Sequence, residues 1–137
     1  MNYFISPPID TDLKIDSAQL INRLKAEGPN IDIQPLDNPS RPYSLSFGIP
    51  ITNGFLEGSL ERTGQCVVLD GDVQDCAKFA LWFRSWVDHK YKLVFYDEAY
   101  SADVELSLET TVHDIIKRFI RNVLQNSENE NGPITDD

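Results

Sequence analysis

Two periodicities divide this chain. Alternating apolar and polar residues, the mark of a half-buried strand, dominate the middle. Three- and four-residue apolar spacing, the mark of an amphipathic helix, occupies three separate stretches. Tyr3-Phe4-Ile5 predicts a short first strand stopped by Pro7-Pro8. Leu20, Ile21 and Leu24 then share one helical face. Asp16 with Gln19 reads as a capping box at the start of that helix, the carboxylate accepting an orphan N–H and the amide reaching back. Gly28-Pro29 ends it, with Gly in a left-handed cap and Pro unable to continue the ladder.

Ile31 and Ile33 flank Asp32 in a short strand pattern. A loop follows, marked by Pro35, Asn38-Pro39 and Arg41-Pro42. Tyr43, Leu45 and Phe47 then alternate with Ser44 and Ser46. Ile49 and Ile51 lead into Asn53-Gly54, a hairpin signal in which both residues accept positive φ. Pro50 marks an edge or a strand break. Phe55 to Glu61 returns as a strand, Arg62-Thr63-Gly64 turns, and Gln65 to Leu69 completes an antiparallel meander.

The second helix opens at Asp70-Gly71-Asp72, with Asp72 as its cap, and runs to about Val87. Cys76, Ala77, Phe79, Ala80, Trp82, Phe83 and Trp86 make it apolar on more than one face. Such a helix is packed on several sides or engaged with a partner. Tyr91 to Tyr96 predicts a strand, Asp97-Glu98 a turn, and Ala102 to Leu106 another strand. The last helix is capped by Thr110 or Thr111 and carries Val112, Ile115, Ile116, Phe119, Ile120, Val123 and Leu124 on one stripe. Asp114 early and Lys117, Arg118 and Arg121 late suit its macrodipole. The pattern predicts an α+β fold: a mostly antiparallel sheet of about five to seven strands with three helices, most of them on one sheet face. Residues 1–125 form a single domain in this reading, and 126–137 an acidic disordered tail.

Composition narrows the picture. A chain of 137 residues fits one domain with an ordinary core. No apolar run approaches the roughly 20 residues that span a bilayer. The first residues lack the basic flank and apolar stretch of a secretory signal. A cytoplasmic setting is therefore expected, with Cys66 and Cys76 as free thiols.

Charge narrows it further. The chain carries 22 acidic and 12 basic residues, a net −10. The tail holds four of the acids and no base, so the rest keeps −6. Between Leu93 and Ile116 lie Asp97, Glu98, Asp103, Glu105, Glu109 and Asp114 with no lysine or arginine. Such a run is commonly just a solvated face. The balance argues against nucleic acid and anionic membrane as partners and favours basic protein surfaces.

Candidate chemistry is sparse. Asp70, Asp72 and Asp75 offer oxygen ligands of the kind hard cations want, but the spacing is not that of an EF-hand, and helix capping accounts for Asp72 and Asp75. His89 and His113 have no cysteine or histidine at metal-ligand spacing. Cys76 falls on an apolar stripe, the place of an inert buried thiol. The glycines are scattered, with no phosphate loop, and no cofactor is expected.

Aromatics beside acids stand out instead. Tyr96, Asp97, Glu98 and Tyr100 form a mixed loop, with Asp103 and Glu105 following. Trp82 and Trp86 are four apart on the second helix. Exposed tyrosine and tryptophan anchor interfaces, although these residue types also fill cores. The first functional expectation is therefore a non-enzymatic domain binding a basic protein partner through these eight residues. Small acidic α+β domains of this kind resemble bacterial immunity proteins in general character, a likeness of class that no motif carries. The alternative is a small-molecule or metal-binding enzyme built from Asp70, Asp72, Asp97 or Glu98 and a histidine. A homodimer through the second helix or an edge near Pro50 is the third reading.

Overall fold

Seven stretches with outward-inward alternation pair into one sheet, and three helices cover a single face of it. The structure is a computed structural model that describes residues 1–8 and 11–120. The strands are β1 (Asn2–Ser6), β2 (Asp32–Pro35), β3 (Tyr43–Ile51), β4 (Gly54–Glu61), β5 (Val67–Asp70), β6 (Leu93–Asp97) and β7 (Asp103–Leu106). The helices are α1 (Ser17–Glu27), α2 (Val73–Trp86) and α3, residues 112–120. Strand order is β2-β3-β4-β5-β1-β6-β7, with every neighbouring pair antiparallel. The expected α+β domain is thus observed, with seven strands. The expected tail, 126–137, lies outside the described residues.

The meander β2 to β5 follows chain order, but β1 is inserted between β5 and β6. β5 and β6 consequently run parallel to each other on either side of β1, and α2 is the crossover that parallel strands require.

Inward positions build the core. Tyr3, Ile5, Leu45, Phe47, Leu56, Leu60, Val67, Leu69, Leu93 and Phe95 are buried on the helix side of the sheet. Leu20 and Leu24 of α1, Phe79 and Phe83 of α2 and Ile115 and Phe119 of α3 close over them. Phe79 stacks on Phe47 at 5.5 Å between centroids, and Phe119 meets Tyr3 and Phe95 edge-on at 5.6 Å. Gly58 is needed beneath Phe47, where an added Cβ would lie 2.4 Å from the ring.

The helix starts follow the capping chemistry. Asp16 accepts from the Ala18 N–H, and Asp72 accepts from the Asp75 N–H at 2.9 Å. Thr111 and Asp114 exchange reciprocal side-chain to backbone bonds at 3.1 and 3.0 Å. Two expected turns differ in detail. Gly28 is extended at φ 167°, not left-handed, because Pro29 disfavours helical backbone in the residue before it. At the β3–β4 hairpin only Gly54 has positive φ, since Thr52 and Asn53 form the two-residue loop and Gly54 already pairs with Ile51.

Arg84 holds the far end of α2. It is 4% exposed, and its guanidinium donates to the carbonyls of Tyr91 at 2.7 Å and of Val87 and Asp88 at 2.9 Å. One side chain thereby satisfies carbonyls that the helix end and the following turn would otherwise strand. It also fixes the entry into β6.

Cys66 and Cys76 are free and buried. Burial pushes both thiols up to about 12 from an ordinary 9.0, helped by Glu61 at Cys66 and by Asp72 at Cys76. A thiol that stays protonated is a poor nucleophile. Ellman's reagent at pH 8 will therefore find no fast-reacting thiol in the folded protein and both thiols in denaturant; prompt native-state reaction would contradict this burial. The native pKa values lie above the unfolded ones. Their contribution to stability is complete below about pH 9 and is lost as pH rises towards 12.

Candidate docking face

The helices leave the other face of the sheet uncovered, and side-chain alternation decides what it presents. Outward positions are Asn2, Phe4 and Ser6 on β1, Asp32 and Gln34 on β2, Ser46, Gly48 and Pro50 on β3, Phe55, Glu57, Ser59 and Glu61 on β4, Val68 and Asp70 on β5, Val94 and Tyr96 on β6, and Asp103 and Glu105 on β7. Six of these are carboxylates. No described strand contains a lysine or an arginine.

Register sorts the face into cross-strand rows. Asp32 pairs with Gly48, Gly48 with Glu57, Glu57 with Asp70 and Asp70 with Asn2. Glu98 extends the row, its N–H bonded to the Asn2 carbonyl at 3.0 Å. The next row runs Gln34, Ser46, Ser59, Val68, Phe4, Tyr96, Asp103. A third holds Ser6, Val94 and Glu105, with Glu61 at its β4 end. The face thus has an acidic border, a mixed apolar and aromatic middle and further acids at its corners.

Like charges directly across a ladder repel, and Glu57 faces Asp70 in that way. Few cations offset the set. The terminal ammonium of Met1 lies 3.8 Å from Asp70, and Arg118 reaches Asp103 at 3.8 Å; all four groups are well exposed. Exposed pairs of this kind screen readily. Arg62, next to Glu61 in sequence, is committed elsewhere. It donates to the carbonyls of Leu36, Asn38, Arg41 and Tyr43 at 2.8–2.9 Å and pins the β2–β3 loop.

The residues singled out from the sequence fall into three places. Tyr96, Glu98, Tyr100, Asp103 and Glu105 come together at the β6–β7 end of the open face. Phe4 stacks on Tyr96 at 5.3 Å, Tyr100 leans on Tyr96 at 5.0 Å, and the Tyr96 hydroxyl meets Ser6 Oγ at 2.9 Å. Burial raises the Tyr96 phenol, with Ser6 opposing. Tyr100 is 61% exposed, and among the described residues it alone of the non-glycines has positive φ, 55°. Its hydroxyl reaches Asp103 at 3.4 Å.

Asp97 sits apart from this group. It is 3% exposed and opposite Tyr3 on the core side of the sheet. Its carboxylate accepts from the Ser101 N–H at 2.7 Å and from the Ser101 hydroxyl, closing the β6–β7 turn. It shapes the loop that presents Tyr100 and adds no surface to the face.

Trp82 and Trp86 lie on the opposite side of the molecule, on α2. Their rings meet edge-on at 5.6 Å. Trp86 packs on Phe83 and under the Arg23 guanidinium of α1, 5.3 Å from its centroid. Trp82 lines an apolar recess of about 240 Å³ with Leu24, Ile49, Ile51, Leu56 and Phe79. The breadth of apolar surface on α2 therefore reflects contact with both the sheet and α1.

Asp32, Glu57, Glu61, Asp70, Phe4 and Phe55 belong to the face but not to the docking residues expected from the sequence, where Asp70 stood only as a possible cation-ligand or enzyme-site carboxylate. A signal for the first four was present: each alternates with a core residue in a strand that has no base. Among the described residues no three His, Cys, Asp or Glu side chains converge as a metal site. His89 and His113 are both exposed. No described helix is long and apolar enough to cross a membrane.

Fold and surface define a two-layer α+β domain with one helix-covered and one open, acidic sheet face. No protein-family model, curated protein or solved structure matches the chain.

Proposed function

We propose that this domain is a protein-interaction module, adaptor-like or immunity-like in character, that docks a basic protein partner on its open sheet face. One observation supports this reading above the rest: the outward positions of seven strands carry six carboxylates and no lysine or arginine. A field of one sign over a broad surface speeds encounter with an oppositely charged partner and turns away like-charged ones. The apolar middle, Phe4, Val68, Val94, Tyr96 and Tyr100, offers contact area that charge alone lacks.

The dimensions suit such a role. Seven strands about 4.8 Å apart, with outward residues repeating about every 6.8 Å, give roughly 500 Å² of flat surface. That is at the small end for one side of a specific interface, where steering matters most.

The face should also cost the fold something. Glu57→Gln removes the repulsion with Asp70, so it will raise unfolding free energy by about 0.5 kcal/mol while weakening partner binding. Urea denaturation measures the first effect. An unchanged or lowered midpoint would mean that Asp70 is already neutralised by its surroundings.

The proposal is tested with a charge-matched pair of variants. One, E57Q/E61Q/E105Q, removes three charges from the face. The other, N22K/A26K/Q74K, makes the same net change on exposed positions of α1 and α2. Each is used alongside the native protein to capture partners from source-cell lysate at low and then moderate salt. A basic protein retained by the native chain and the helix variant, but lost by the face variant, is the expected result. A partner lost equally by both variants, or by neither, would refute docking on this face, as would the absence of any salt-sensitive partner.

A further inference from the structure

We infer that the open face carries a built seat for an arginine side chain of the partner, centred on Gly48; this rests on the proposed docking of a basic protein. The argument begins with the row Asp32, Gly48, Glu57. Gly48 is the middle member; it is buried and has no side chain, so the two carboxylates on the flanking strands face each other across a gap that only Phe55 overhangs. Their Cα atoms stand two strand spacings apart, about 10 Å, and both side chains are exposed. Phe55 walls one end. Its Cδ1 is 3.7 Å from where a Gly48 Cβ would stand, and it is 57% exposed despite its size. Asn30, Gln34 and Ser46 complete a recess of about 510 Å³.

The chemistry of this seat selects among cations. A guanidinium is planar and carries five donors, so it can address carboxylates on two sides while its flat face lies on an aromatic ring. An ammonium is a compact, strongly hydrated point charge that gains less from Phe55 and cannot fork between Asp32 and Glu57. The nearest neighbours of a Gly48 Cβ would lie at 3.7–3.9 Å, ordinary contact distance, and its φ is not in the left-handed region. Packing therefore admits a Cβ here, and a longer side chain would extend from it into the recess beside Phe55.

That tolerance supplies the test. Gly48→Leu fills the gap without touching any charge, and its thermal midpoint, expected to match the native one or exceed it, confirms the fold. The probes are N-acetylated, C-amidated hexa-arginine and hexa-lysine. Binding is measured by NMR titration of the native protein, Gly48→Leu and E57Q/E61Q/E105Q. The seat predicts that hexa-arginine binds at least about tenfold more tightly than hexa-lysine and moves the Gly48 amide. It also predicts that Gly48→Leu loses that preference while keeping the weaker hexa-lysine binding. Equal affinity for the two peptides, or an arginine preference that survives Gly48→Leu, overturns the seat but leaves the docking face standing if E57Q/E61Q/E105Q still weakens binding. Failure of both peptides to bind, or binding indifferent to the face variant, overturns seat and face together.

Discussion

Arg84→Met will unfold this protein at a much lower urea concentration than the native chain, with a loss of about 3–5 kcal/mol. Replacing a buried ion pair by apolar groups can be nearly neutral because both charges leave together. Here the acceptors are main-chain carbonyls of Val87, Asp88 and Tyr91, and they stay when the guanidinium goes. The Val87 bond is in buried surroundings, where a stranded acceptor costs the full desolvation penalty. A total stability of about 5–15 kcal/mol makes this a large share. Arg84→Lys will recover only part of it, since two guanidinium nitrogens serve these carbonyls and one ammonium nitrogen cannot occupy both places. Denaturation curves with an unchanged m-value and a midpoint shift worth less than about 1 kcal/mol for Arg84→Met would remove the latch from this account. The effect extends to the open face, because the segment that Arg84 fixes leads into β6 and so to Tyr96.

E57Q/E61Q/E105Q will weaken partner binding by about 10–100-fold, while N22K/A26K/Q74K will stay within about threefold of native. Each exposed charge contact is worth roughly 0.5–1 kcal/mol, and 1.4 kcal/mol is a factor of ten. Association rate will account for much of the loss, and the salt dependence of binding will flatten, because steering by exposed charge is screened over about 10 Å at 0.1 M salt. Charge reversal at the same three positions will abolish binding. If the two triple variants weakened binding equally, net charge and not the face would be responsible.

Much of this fold was open to reading from local pattern, because alternation and helical spacing are local properties. Strands β1 to β7, the caps Asp16, Asp72 and Thr111 and the meander from β2 to β5 all follow from neighbouring residues. The insertion of β1 between β5 and β6 does not, since it pairs Tyr3 with both Leu69 and Asp97, and nothing near Tyr3 announces either partner. Gly28 shows one local rule overriding another, as Pro29 sets its backbone.

The site divides in the same manner. That Asp32, Glu57 and Asp70 point away from the core is a matter of parity with Ile33, Leu56 and Leu69. That they lie in one row is a matter of register, which sequence spacing alone leaves open. Asp97 reads as a surface acid at a strand end, yet parity with Leu93 and Phe95 places it inward. Trp82 and Trp86 have the same spacing whether they meet solvent or a second helix, and α1 decides it.

Carboxylate footprinting of the complex tests the central claim most directly. The native protein, with and without its captured partner, is labelled with carbodiimide and a small amine, and each acidic residue is read by mass spectrometry. Docking on the open face predicts that Asp32, Glu57, Asp70 and Glu105 are protected by the partner while Glu27 and Asp88, on the helix side, label as in the free protein. Protection of Glu27 and Asp88 with the sheet carboxylates still labelled would contradict it and move the interface to the helices.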